Sequence, residues 1–159
     1  MPTHSRKQIV THDADQMFDL VSDVGRYPEF LPWCAGARIR NRDAISDTQT
    51  VLVADLIISY KVFREKFTSR VTLDREQRAV DVDYIQGPFR HLRNHWRFTN
   101  LESGGSEVDF FIDFEFRSKT LQKMMQSVFD KAVERLVQAF VNEADRKYGT
   151  AQANQTGQI

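Results

Sequence analysis

The sequence carries one cysteine, four prolines and seven glycines among 159 residues, and its formal net charge is zero. A lone Cys34 closes no internal disulfide and builds no cysteine-rich zinc site. Without a run of about 18 apolar residues, no segment is expected to span a bilayer as a helix. The opening residues, Met1 to Arg6, are polar and hold no apolar signal-peptide core. Lys and Arg total 22 and Asp and Glu total 22, so attraction to nucleic acid is not built into the overall charge. DNA is therefore not an expected partner. These absences point to the cytoplasm, at most to the periphery of the inner membrane.

What is abundant is phenylalanine, twelve copies in a chain that is 41% hydrophobic and 28% charged. The length suits one domain. We expect it over residues 1–148, with a disordered polar tail over 149–159. Ser5 to Thr11 reads as a strand with Lys7, Ile9 and Thr11 on one face. Asp13 and Gln16 have capping-box spacing, predicting a helix from Ala14 to about Asp23 that Gly25 ends. Between Tyr27 and Trp33 two prolines bend an aromatic segment, and one helical turn should start at Pro28 and stop at Pro32.

From Ala37 the hydrophobic period switches to two. Ala37 and Ile39 alternate with Arg38, Arg40 and Arg42. Leu52, Ala54, Leu56 and Ile58 share one parity, as do Phe63, Glu65, Phe67, Ser69, Val71 and Leu73. The same holds for Val80, Val82 and Tyr84, for Leu92, Asn94, Trp96 and Phe98, and for Val108, Phe110, Ile112, Phe114 and Phe116. Six further strands follow, each with one wet face. The short breaks between them imply an antiparallel meander.

From Lys119 to Tyr148 there is neither Gly nor Pro. Leu121, Met125, Val128, Ala132, Leu136, Phe140 and Ala144 form a stripe, widened by Met124, Phe129, Val133 and Val137. One amphipathic helix about 45 Å long is expected, capped by Ser118 or Thr120 and ended by Gly149. The fold class is α+β. A curved seven-stranded antiparallel sheet wraps a long C-terminal helix, with two short helices after the first strand. The widest gap, between sheet and helix, is where a ligand would sit.

Several segments carry a resemblance. Arg26-Tyr27-Pro28-Glu29-Phe30-Leu31-Pro32-Trp33-Cys34 is similar to the signature that follows the first helix in the coenzyme Q-binding START-like family, within the polyketide-cyclase and lipid-transfer superfamily. Ala54-Asp55-Leu56, residues 64–70, Gly87-Pro88-Phe89, Trp96-Arg97-Phe98 and residues 113–118 match in order, so the resemblance covers about residues 3–145. It implies a helix-grip fold around an apolar tunnel. Eukaryotic members are implicated in ubiquinone binding and respiration. Bacterial members are described either that way or as toxins that block association of ribosomal subunits.

The expected ligand wall is Trp33, Leu52, Leu56, Phe63, Phe67, Val82, Tyr84, Trp96, Phe98, Phe110, Ile112, Phe114 and Phe116, faced by Met124, Met125, Val128 and Phe129. Aromatics offer large contact area and Met adapts to flexible chains. Packing into ordinary core is the competing use of the same residues. Glu65, Ser69 and Asn94 share the inward parity and could meet the oxygens of a quinone head, because an inward polar group needs a partner. No nucleophile–base set, phosphate loop or metal-ligand cluster is evident. His91 and His95 lie about 13–14 Å apart along a strand, too far to chelate one metal. The expected function is non-enzymatic binding of ubiquinone or a related prenylated lipid, with no cofactor required. The rival is binding of the large ribosomal subunit, for which outward Arg38, Arg40, Arg42, Arg64, Lys66 and Arg70 are candidates. A polyketide cyclase or aromatase is a third, weaker reading, with Glu65 its lone inward acid.

Overall fold

Period-two patterning yields strands along most of the chain. The computed structural model describes residues 3–60, 63–126 and 128–149, apart from the side chain of Phe63. Its strands are β1 (Thr3–Val10), β2 (Cys34–Ala44), β3 (Gln49–Tyr60), β4 (Phe63–Asp74), β5 (Ala79–Gln86), β6 (Phe89–Asn100) and β7 (Ser106–Phe116). They form one antiparallel sheet in the order β1-β7-β6-β5-β4-β3-β2, a meander from β2 to β7 that β1 joins at the β7 edge. The predicted tail, past Gly149, and the predicted inward Phe63 side chain lie outside the described residues.

The first helix, α1 (Ala14–Ser22), opens with the expected capping box: Asp13 accepts from the Gln16 amide and the Gln16 side chain accepts from Asp13 N–H. It buries Ala14, Met17, Phe18, Leu20 and Val21. Asp23, not Gly25, caps its end. Gly25 instead lies inside a 3₁₀ helix, Val24–Glu29, so the expected turn from Pro28 begins four residues early. Pro28 fits there because it is the second residue of the last turn, closed by Phe30 N–H to Tyr27 C=O, where proline's fixed φ is favoured and no amide donor is needed.

On the first strand Lys7 and Ile9 share a face as expected, and it is the solvent face. Ile9 is 69% exposed, while His4, Arg6 and Gln8 are half-buried and Val10 is buried. Register explains this: His4, Arg6 and Gln8 stand opposite Ile112, Phe110 and Val108, whose side chains face the core.

The predicted single C-terminal helix is two: α2 (Lys119–Gln126) and α3 (Phe129–Tyr148). Ser118 Oγ accepts from Leu121 N–H at the start of α2, and Gly149, at φ 78°, ends α3. The break lets Leu121 and Met125 cover Phe89, Phe114 and Phe116, while Val133, Val137, Phe140 and Ala144 of α3 seal the main core. α2 itself contains no buried residue.

Candidate functional site: an apolar cavity under the broken helix

Bulges decide which residues meet inside the curved sheet. One between Phe89 and His91 brings Phe89 to the concave face together with Leu92, Asn94 and Trp96, although 89 has the opposite parity. Phe89 then sits at the centre of an aromatic cluster, stacked on Phe116 at 4.7 Å and edge-on to Phe67, Tyr84 and Phe114. Gly87, at φ 148°, permits the turn before it, because a Cβ there would lie 2.5 Å from Phe67 Cβ.

Between this face and the helices lies an apolar cavity of about 260 Å³. It continues into a mouth of about 180 Å³, where Glu65, Lys131 and Arg135 join Trp33, Tyr60, Pro88, Met125 and Val128. An apolar cavity of about 150 Å³ already admits benzene. The deep wall is Leu56, Phe67, Val82, Ile112, Phe114, Phe116 and Phe129, as expected, plus Tyr27, Leu31, Ala54, Val71, Phe89 and Leu92. Met125 also reaches in, as do Ala132, Val133, Leu136 and Phe140 of α3. Sequence reading missed Phe89, which only the bulge turns inward. It placed the α3 residues on the packing stripe without assigning them to the wall.

Several expected wall residues stand elsewhere. Leu52, Phe98 and Phe110 are sealed core, 0%, 3% and 1% exposed, because α1 and α3 fill the space above that end of the sheet. Tyr84 packs beside Phe89 and its oxygen accepts from Phe89 N–H, so it backs the cavity without lining it. Met124 points outward, 47% exposed, one position from the inward Met125. Glu65 does take the concave parity but lies exposed at the mouth, beyond the last covering side chain.

The polar groups of the deep part are mostly committed. Tyr27 donates to Val21 C=O, and burial pushes its phenol far up. Cys34 donates weakly to Gly36 C=O, and its thiol is raised by burial. That marks it as an inert small hydrophobe. Asn94 faces the cavity but is already engaged: its amide donates to Phe111 C=O at 2.8 Å and its oxygen accepts from Trp96 Nε1 at 2.9 Å. Ser69 is 3% exposed, and its Oγ has no hydrogen-bond partner. Trp33 lines both cavity and mouth, edge-on to Tyr60, with φ 68°, a left-handed conformation uncommon outside glycine.

Tyr27 and Phe30 pack edge-on against Phe140 at 5.3 Å each, so the proline-bent segment plugs one side of the cavity. Among the described residues, no group of His, Cys, Asp or Glu could hold a metal ion. His91 pairs with Asp113 and His95 with Asp81. No helix among them is long and apolar enough to cross a membrane.

The outer face carries cations on β2 and β4. Arg38, Arg64, Lys66 and Arg70 are exposed. The predicted row of Arg38, Arg40 and Arg42 is broken. Arg40 is tied to the buried Asp55 at 3.0 Å, and a register shift between Ile39 and Asn41 sets Arg42 opposite the inward Leu52.

A curved antiparallel sheet gripping a C-terminal helix over an apolar cavity is the START-like, helix-grip architecture. The chain belongs to the polyketide cyclase / dehydrase and lipid transport family, which matches residues 10–141. Over 147 residues it is 37% identical to the ribosome association toxin RatA of Rickettsia prowazekii, covering 91% of this chain and 97% of that protein. It is 30% identical to the mitochondrial coenzyme Q-binding protein COQ10 homolog B of Xenopus laevis over 151 residues, 92% of this chain and 59% of that protein. Among solved structures, the 18 kDa protein CC1736 of Caulobacter crescentus is 33% identical and superposes with a TM-score of 0.79, covering 94% of this chain and 100% of that one.

Proposed function

We propose that this protein is a non-enzymatic carrier that holds ubiquinone or a related prenylated lipid in the cavity between sheet and helices. The observation that carries this reading is the cavity itself: about 260 Å³, walled by aromatic and aliphatic side chains, open at a mouth. A site of that character takes an apolar ligand with few polar atoms. The coenzyme Q-binding name of the Xenopus relative agrees in ligand class. The absence of an inward acid–base pair among the described residues argues against cyclase chemistry, since Glu65 stands at the mouth and Asn94 is bound. Such a carrier would work in the cytoplasm and meet the inner membrane only peripherally. A polyprenyl tail is longer than this protein can enclose, so part of it would protrude.

Organic extraction of the natively expressed protein, followed by chromatography and mass spectrometry, tests the proposal. Near-stoichiometric prenylated quinone, lost on Phe67→Arg, is the expected result. An empty extract, with no uptake from quinone-loaded vesicles, sinks it.

A second reading is binding of the large ribosomal subunit. It is favoured by the RatA relatives and by the exposed Arg38, Arg64, Lys66 and Arg70 on the outer face, which form no ion pair among the described residues. Phosphate-rich partners suit such a strip. Co-sedimentation with large subunits, abolished by reversing these four charges, would support it; sedimentation unchanged by the reversal would remove the strip from consideration.

A further inference from the structure

The cavity is polar at one deep point. Ser69 is the middle of three inward residues on β4, between Phe67 and Val71. It stands opposite Ala54 on β3 and Tyr84 on β5. Its hydroxyl is buried and has no partner, while Tyr27, Cys34 and Asn94 are all committed to neighbouring groups. A buried hydroxyl without a partner costs about 1–3 kcal/mol.

Depth is set by the strands. Glu65 marks the mouth on β4, and Ser69 lies four residues further in, about 13 Å along the strand. The same deep part is lined by Trp96 and Phe140. Trp96 and Phe140 meet at 5.0 Å, Phe140 also touches Tyr27 and Phe30, and Asn94 fixes the Trp96 indole. The mouth is different in kind: apolar Trp33, Met125 and Val128 stand there with the charged Glu65, Lys131 and Arg135.

We infer that the lipid enters head first. A planar head bearing a hydrogen-bonding oxygen lies deep, beside Trp96 and Phe140, with that oxygen on Ser69 Oγ. Its apolar chain runs out past Phe67 and Met125 to the mouth. This inference rests on the lipid-binding reading and adds an orientation to it. It also accommodates a tail of any length, because the tail is the part left outside. Tail-first binding would leave Ser69 without a partner and place the head at the rim beside Glu65, Lys131 and Arg135.

The two tryptophans are built-in reporters, Trp33 where the mouth meets the cavity and Trp96 in the depth. Quinone rings quench indole fluorescence at short range. The test titrates the full chain, and its Trp33→Phe variant, with a short-chain ubiquinone. In the variant all indole emission comes from Trp96. Head-first binding retains strong quenching in that variant. It also predicts that Ser69→Ala weakens affinity about three- to tenfold, the worth of one hydrogen bond, while a prenyl hydrocarbon without the head binds both forms equally. Quenching that disappears with Trp33, or quinone affinity unchanged by Ser69→Ala, overturns the orientation while leaving lipid binding in place. Saturable uptake of neither quinone nor hydrocarbon overturns the lipid-binding reading as well.

Discussion

The concave face of the sheet has two ends that look alike in composition and differ in what covers them. At one end Leu52, Val80, Phe98, Val108 and Phe110 are sealed under α1 and the second half of α3, all at 3% exposure or less. At the other, Phe67, Phe89, Phe114 and Phe116 lie under α2 and the start of α3, which leave a gap between them and the sheet. Both ends are built from Phe and β-branched residues on inward strand positions. The difference comes from the cover: α1 buries five side chains, α2 none. A cavity here is a property of helix placement more than of strand composition.

Truncation separates the ends most sharply. Phe110→Ala removes a ring packed 4.7 Å from Trp96 in a filled region, and the loss is expected at about 3–5 kcal/mol. Met125→Ala, at the roomy end, should stay below about 2 kcal/mol, because little packing is lost there. Denaturant midpoints at equal m-values measure both. Equal losses would mean that the gap is as well packed as the core.

The two ends of α3 differ in how they are anchored as well. At the sealed end, Glu143 is 5% exposed and bonds Arg26 and Arg146, while the buried His12 pairs with Asp145 at 2.7 Å. At the cavity end, the tie is His4 to Asp130, which is 91% exposed. The Arg146 guanidinium, with help from Arg26, holds the Glu143 carboxyl below its ordinary value of 4.5. A depressed acid stabilises the fold fully above the ordinary value and loses that contribution as pH falls through the lower folded value. Glu143→Gln should therefore cost about 1.5–3 kcal/mol near pH 7, and the gap from the parent should close in strong acid. A gap independent of pH would place the effect in packing.

Asn94→Leu tests the boundary between the ends. Leucine leaves Trp96 Nε1 and Phe111 C=O without their partners, so a loss of about 1–2 kcal/mol is expected. Undiminished thermal stability with weakened quinone binding would instead return Asn94 to the role its inward parity first suggested.

Much of this was legible in the chain. Parity located the six later strands and most of the wall, and the Asp13–Gln16 spacing located α1. Parity fails wherever a bulge intervenes, since one extra residue turns everything after it to the other face. Phe89 was missed and Arg42 was set on the wrong face for that reason. It also fails to say what stands opposite a strand. Leu52, Phe98 and Phe110 read the same as Phe67, and only the helices above them separate core from cavity. The break between α2 and α3 has no Gly or Pro to announce it. Ser69 was legible as an inward hydroxyl, but its lack of a partner is a fact of three dimensions.

Filling the gap should change stability least and function most. Ala132 of α3 borders both the cavity and its mouth, so a phenyl group built there is expected to take up part of that space. Ala132→Phe adds apolar contact at the loose end without displacing the sealed core, so the melting temperature should move by no more than about 2–4 °C. Lipid uptake from quinone-loaded vesicles should fall to background, because the route from mouth to Ser69 passes that side chain. The same substitution at the sealed end, for instance Ala144→Phe, meets a residue with 0% exposure and should unfold the protein. If Ala132→Phe destabilised as severely as Ala144→Phe, the space under α3 would already be spoken for by packing. The contrast between the two ends would then dissolve into a single continuous core.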